Sequence, residues 1–345
     1  GHVVGGPFNY IEHGMGPKWK WLAKIFAFFG IGVGLLGIGT FTQVNGISSA
    51  VNNFFDSNNA WTVSLFGRTY SWTVVISCLI LTFCVALVLI GGIQRISKVA
   101  QVIVPFMAAT YFLAGILIIL FNITDVPAAI LTIVQSAFGL KAAAGGALGA
   151  MVVAMQKGIA RGIFSNEAGL GSAPIAAAAA RTNEPVRQGL VSMTATFIDT
   201  IIICSITGIA IVLTGAYDMG LEGVAVTTKA FQLGLPFPDG VASFILMLCL
   251  VFFAFTTILG WDYYSERCLE YLTNGKKKCI KAYRWIYILC VFIGPYMTVS
   301  AVWTIADIFN GLMAIPNLIA LVALNGVVAK ETKDYLDRIK KKEID

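Results

Sequence analysis

The sequence predicts an all-α integral membrane protein, and three observations carry that class. Of its 345 residues 57% are apolar and only 12% are charged, about half the 25% or so that covers the surface of a soluble domain. Six runs without Asp, Glu, Lys or Arg, at 25–55, 69–94, 99–124, 240–261, 285–306 and 308–329, are each long enough to span a bilayer. Leu, Ile, Ala and Gly fill them continuously, so the apolar-out, polar-in alternation of an outer-membrane barrel is missing.

In chain order, residues 1–24 read as a cytoplasmic loop and an interfacial segment, where Trp19 and Trp21 stand among Lys18, Lys20 and Lys24. About eight spans follow over 25–330, near 25–52, 72–94, 100–122, 145–180, 189–214, 240–262, 284–304 and 306–328. Residues 331–345 form a cytoplasmic tail, helix or coil. Nineteen of the 24 Lys and Arg fall in alternate connectors, which makes those connectors and the C-terminus cytoplasmic. The net charge of +6 is thereby a topological signal and does not point to nucleic acid. The length leaves no room for a nucleotide-driven engine beside the spans.

Enzyme chemistry finds no support. The seven Cys include no CxxC pair and read as small buried hydrophobes. His2 and His13 have no second ligand at metal spacing. No nucleophile with its base, no HExxH and no paired metal ligands occur, so neither catalysis nor a cofactor is expected.

The fourth span, AAAGGALGAMVVAMQKGIARGIFSNEAGLGSAPIAAAAA over 142–180, is the informative one. A continuous helix here carries Lys157, Arg161, Asn166 and Glu167 at membrane depth, each costly unless paired or facing water. Gly158, Gly162, Gly169 and Gly171 flank the polar Ser165–Ala168 and ease departure from helical geometry. The reading is a helix that stops near Phe164, unwinds over SNEAG and restarts around Leu170. Such a break exposes carbonyls on one half and amides on the other, as transporters do for small zwitterions and cations. The alternative is a tightly packed Gly and Ala helix with one buried salt bridge, Glu167 to Arg161.

The run GIARGIFSNEAGLGSAPIAAAAARTNEPVRQGLVSM, from 158 to 193, resembles the signature of the alanine or glycine:cation symporter family of prokaryotes, a branch of the LeuT-type transporters. GGPFNYIEHG (5–14), GIGTFTQVNGI (37–47), FIDTIIICSITGIAIVL (197–213), FAFTTILGWDYYSERCLEYL (253–272) and NGLMAIPNLIAL (310–321) extend the likeness over essentially the whole chain. Thr40 stands where members often carry Asn, and Glu184 where His is frequent. The resemblance implies a core of ten helices in two inverted repeats, each opened by a broken helix. Four spans follow the break here and three precede it, so the chain is expected to hold core helices three to ten, with one discontinuous helix and an upstream portion missing.

The same resemblance implies symport of alanine or glycine with a cation, sodium before protons, by alternating access in a prokaryotic plasma membrane; a non-transporting fragment is the other reading. It places Gln43, Phe164, Ser165, Asn166, Glu167, Ala168, Gly169 and Trp261 around the substrate. For Gln43 the alternative is interhelical glue. The unwound carbonyls would accept from the substrate ammonium, with Glu167 holding the break or a gate. Thr256 and Thr257 match the superfamily's sodium site, where two hydroxyls join carbonyls of the upstream broken helix; hard cations take such oxygen ligands. Trp261 would close the pocket around a small side chain, its alternative being an interfacial anchor shared with Tyr263 and Tyr264. Asp199 reads as a structural partner of Lys157 or Arg161, or as a proton relay. Asp307 and Asn310 read as solvated outer residues, and Pro316 as a kink and hinge. Partners are thus a small amino acid, sodium and membrane lipids.

Overall fold

The computed structural model describes residues 5–65, 67–139 and 146–341; His2, Lys141 and the last four residues of the tail lie outside them. The helices are α1 (Lys20–Leu36), α2 (Phe41–Phe55), α3 (Trp72–Ile90), α4 (Gly92–Phe121), α5 (Val126–Ala137), α6 (Ala147–Ser165), α7 (Ala173–Ala177), α8 (Pro185–Leu213), α9 (Val224–Gly234), α10 (Asp239–Thr273), α11 (Lys277–Ile293), α12 (Val299–Ala323) and α13 (Asn325–Lys340). An antiparallel hairpin, β1 (Thr62–Leu65) and β2 (Arg68–Ser71), sits between α2 and α3. Among the described residues seven segments are long and apolar enough to cross a membrane: Pro17–Phe55, α3, Gln94–Phe121, α6, α8, α10 and α12.

The expected spans 284–304 and 306–328 are drawn differently. The chain instead turns at Gly294–Tyr296 between α11, of 17 residues, and α12. Pro295 cannot donate a backbone N–H to a continuing helix, and the Thr298 hydroxyl accepts from the Ala301 amide at 3.4 Å to start α12. A charge-free run marks membrane depth but is silent about where one helix ends within it.

The first span is also discontinuous, a break absent from the sequence reading. Helix α1 stops at Leu36, and α2 begins at Phe41. A Cβ on Gly39 would lie 2.7 Å from the Gly34 backbone and from the Trp261 Cβ, so only glycine allows that approach. Thr40 Oγ1 donates to Leu35 O at 2.5 Å, and the buried Tyr287 hydroxyl donates between Gly39 O (3.0 Å) and Ile258 O (2.7 Å). Tyr287→Phe leaves these carbonyls without their donor and should lower stability by about 1–2 kcal/mol. The check is thermal unfolding in detergent; an unchanged midpoint would mean that the break needs no cap.

Helix α10 is the pillar. It contributes Trp261 and Cys268 to one apolar cluster with Phe8, Phe26 and Met313, Ile258 and Leu259 to a second with Val44 and Tyr287, and Leu246 to a third with Tyr111 and Phe231. Its 35 residues measure about 50 Å, more than a bilayer core needs. Its last turns carry a charged network in which Glu266 accepts from Arg267 (2.7 Å) and Arg284 (2.6 and 3.0 Å), while Arg267 also pairs with Glu270.

The segment before α1, expected to be a polar loop, is folded under the bundle. Phe8 and Ile11, three apart on one helical face, are fully buried beside Leu170 and Ile175. Glu12 accepts from Lys20 at 2.7 Å and from the Tyr271 hydroxyl, which together hold its carboxyl below the usual range. Trp19 and Trp21 stack at 6.1 Å and stay exposed, as an interfacial belt requires. At the other end the tail is helical. Tyr335 is buried, and Arg338 donates to both Glu184 oxygens at 2.8 Å, so the Glu184 carboxyl is held low.

Candidate functional site

Helix α6 ends at Ser165, Asn166 is extended, and helical structure resumes at Ala173, close to the expected limits of Phe164 and Leu170. Glu167 O accepts from Leu170 N (3.1 Å) and Gly171 N (3.0 Å), while Asn166 Oδ1 accepts from Ala168 N at 3.1 Å, the local bond that lets Asn replace a helical turn. Gly171 takes φ +88°, a region that favours glycine. Among the described residues the carbonyls of Ile163, Phe164 and Ser165 accept no hydrogen bond. The broken end therefore presents the negative pole of α6.

The packed-helix alternative fails on two counts. No residue of α6 is buried, and Cβ atoms built on Gly158 and Gly162 meet nothing within 4 Å. Nor does Glu167 pair with Arg161: it accepts from the Ser172 hydroxyl at 2.9 Å and lies against the Trp261 indole. Asp199 likewise bonds neither Lys157 nor Arg161. It accepts from Ser165 Oγ at 2.9 Å, from within a π-helical stretch of α8, Phe197–Ile203, that widens the turn facing the break.

Phe164–Gly169 and Trp261 are thus brought together. Trp261 is only 1% exposed, wedged by Gly39 and edge-on to Tyr264 at 5.5 Å, so the interfacial-anchor alternative falls because the ring never reaches an interface. Gly169 O accepts from Asn317 Nδ2 at 3.0 Å, and Asn317 Oδ1 accepts from the Tyr10 hydroxyl. Gln43 is half-buried, and its side chain makes no hydrogen bond among the described residues. Thr256 Oγ1 lies 3.0 Å from both Phe252 O and Phe253 O, and Thr257 donates to Phe253 O at 2.9 Å. Both hydroxyls thus serve their own helix, and no hydrogen bond joins them to the break.

A cavity of about 790 Å³ has Thr42, Asn45, Asn53, Glu222, Ser300 and Trp303 in its wall, whereas Gln43, Phe164–Gly169 and Trp261 are not among its lining residues. Arg161 also lines it, one turn before the break. The guanidinium binds both oxygens of Asp307, Oδ2 at 2.6 Å, and lies over the Trp303 ring at 4.4 Å; Phe164 stacks on Trp303 at 4.6 Å. Asp307, expected to be solvated, is 39% exposed, and beyond that expectation it is the counter-ion of Arg161. Asn310, expected beside it in solvent, is 4% exposed, with its Oδ1 unpartnered among the described residues. One hint was legible: Arg161 and Asp307 are opposite charges at the ends of apolar runs. Helix α12 continues through Pro316.

The comparison that decides the family is with the sodium:alanine symporter family, whose model matches residues 1–345. The chain belongs to the sodium:alanine symporter family. Within and around that family it is 51% identical over 342 residues to an uncharacterized transporter of Haemophilus influenzae, covering 99% of this chain and 70% of that protein. It is 42% identical over 352 residues to the sodium/alanine symporter AgcS of Methanococcus maripaludis, covering 99% and 71%. A probable sodium/glutamine symporter, GlnT of Bacillus subtilis, is 37% identical over 337 residues, covering 96% and 64%. A sodium:alanine symporter family member with seven segments of spanning length among its described residues is a multi-pass membrane transporter protein.

Proposed function

We propose that the chain carries the substrate path of a sodium-coupled symporter for alanine, glycine or a similarly small neutral amino acid in a prokaryotic plasma membrane, working by alternating access. The observation that carries this reading is a cavity lined by Arg161, whose guanidinium pairs with Asp307, one turn before a helix end whose last three carbonyls accept no hydrogen bond among the described residues. A substrate ammonium suits those carbonyls, which hold partial negative charge at the C-terminal end of α6. Ser165, Asn166, Glu167, Ala168 and Gly169 shape the unwound turn, Phe164 and Trp303 cover it, Gln43 faces it from α2, and Trp261 sets its depth and so the size of side chain admitted. The Arg161–Asp307 pair is the outer door: it opens to admit substrate and closes behind it. The similarity to a protein named sodium/alanine symporter supports the choice of substrate and ion.

Sodium is taken as coupling ion, and transport is driven by its gradient and by the membrane potential, about 2.3 kcal/mol per charge per 100 mV. Thr256 and Thr257 supply hydroxyl oxygens to it. Thr257→Ala should raise the sodium concentration for half-maximal uptake several-fold at saturating alanine; a change confined to alanine affinity would contradict that role.

The decisive experiment is uptake of labelled alanine into proteoliposomes under an inward sodium gradient. Saturable uptake that disappears when choline replaces sodium is the expected result. Uptake indifferent to sodium and driven by a pH gradient instead would establish proton coupling, and no uptake under either gradient would overturn the reading.

A further inference from the structure

Away from the substrate path, at the cytoplasmic end of the bundle, a second cavity of about 630 Å³ lies between the end of α3, the end of α10 and the first three turns of α11. Its chemistry is divided. Leu89, Ile90, Trp285 and Ile288 make an apolar wall, while Arg267, Lys277, Lys281 and Arg284 line the other end with Glu266 and Glu270. The two glutamates are already engaged: Glu266 by Arg267 and Arg284, Glu270 by Arg267. Lys277 and Lys281 are exposed and have no ion-pair or hydrogen-bond partner among the described residues. The cavity thus carries two uncompensated positive charges above an apolar slot.

Its position sets the occupant. The lysines belong to the richest basic connector, on the side that positive charge marks as cytoplasmic. The slot opens where Ile90, Trp285, Ile286 and Leu289 are exposed by half or more of their surface, a face that meets lipid tails. A free anion has no use for that wall, and a neutral lipid has none for the lysines.

We propose that this cavity is a binding site for an anionic phospholipid of the inner leaflet, with the headgroup phosphate on Lys277 and Lys281 and an acyl chain along Leu89, Trp285 and Ile288. Arg284 stands at the junction, turned toward Glu266, and extends the positive field without leaving its carboxylate. Lysine suits the role because its ammonium meets a phosphate as a movable point charge at the surface.

The test is native mass spectrometry of the full chain released from membranes of equal phosphatidylglycerol and phosphatidylcholine. One retained phosphatidylglycerol is expected, with roughly tenfold or greater loss of retention in Lys277→Gln/Lys281→Gln and a comparable loss in Trp285→Ala. Lys333→Gln/Lys340→Gln, on the exposed tail, should keep it. All of these side chains are exposed, so the variants fold, and circular dichroism on the same samples verifies it. Equal retention of phosphatidylcholine, or equal loss in the tail variant, would overturn the proposal. Displacement by millimolar glycerol 3-phosphate would do so too, because it would make the site one for a free phosphate.

Discussion

Arg161→Gln should lower alanine uptake by on the order of a hundredfold while leaving the protein folded, because it removes a closing element and little stability. The Arg161 and Asp307 side chains are 41% and 39% exposed, and an ion pair so open to water contributes roughly 1 kcal/mol or less. What is lost is geometric. One guanidinium joins α6 to α12 through Asp307 and sits over the Trp303 ring at 4.4 Å, with Phe164 tilted against that ring. Lysine at 161 keeps the charge but not the delocalised guanidinium that meets both Asp307 and the Trp303 ring, so Arg161→Lys should recover only a small part of the rate. Asp307→Asn should be as damaging as Arg161→Gln, since it removes the carboxylate through which Arg161 joins α6 to α12. The double variant should then be less impaired than the product of the singles, the mark of two residues acting as one unit. Initial uptake rates in proteoliposomes give all four numbers, with thermal midpoints as the control. Wild-type rates in Arg161→Gln would remove the pair from the mechanism.

Gly171→Ala should destabilise the protein by about 3 kcal/mol, summing a disfavoured backbone and an overpacked contact. At φ +88° an L side chain is strained, and the new Cβ would lie 2.7 Å from Pro7 Cγ and 2.8 Å from Asn317 Cγ. Neither neighbour can move freely. Pro7 lies in the buried segment that carries Phe8, and Asn317 is 1% exposed, bonded to both Gly169 O and the Tyr10 hydroxyl. Asn317→Leu attacks the same joint from the other side, leaving Gly169 O without its donor and costing about 1–3 kcal/mol. Thermal unfolding in detergent measures both. A Gly171→Ala protein as stable as the parent would show that the restart of the helix is not held where Asn317 and Pro7 place it.

How much of this was legible in the sequence depended on whether the signal was local. The break after Ser165 could be read because polar residues and glycines are consecutive there, and the expected stop lies within one residue of the observed one. The break at Gly37–Thr40 uses the same glycine logic, yet only Thr40 is polar within it. With no charge to be rescued from lipid, the run passes for an ordinary apolar helix. Tyr287 and Trp261, which make that break viable, are more than 200 residues away. Arg161 and Asp307 are 146 residues apart, and their pairing depends on how α6 and α12 pack, which no spacing rule contains. The turn at Gly294–Pro295 was in plain view, but a run chosen for lacking charge had already absorbed it. The burial of Phe8 and Ile11 escaped because their neighbours are polar.

Trp261 touches two interruptions at once, Gly39 in the first span and Glu167 in the fourth. Mechanically this is a linkage with a shared pin. In the alternating-access reading proposed above, two breaks that bear on one side chain would not swing independently, and bending at either would be passed to the other through Trp261. On that reading the number of ways the bundle can rearrange would be reduced toward one coordinate. A smaller ring at position 261 would uncouple the joints and let each flex on its own, turning a single concerted stroke into two loose ones.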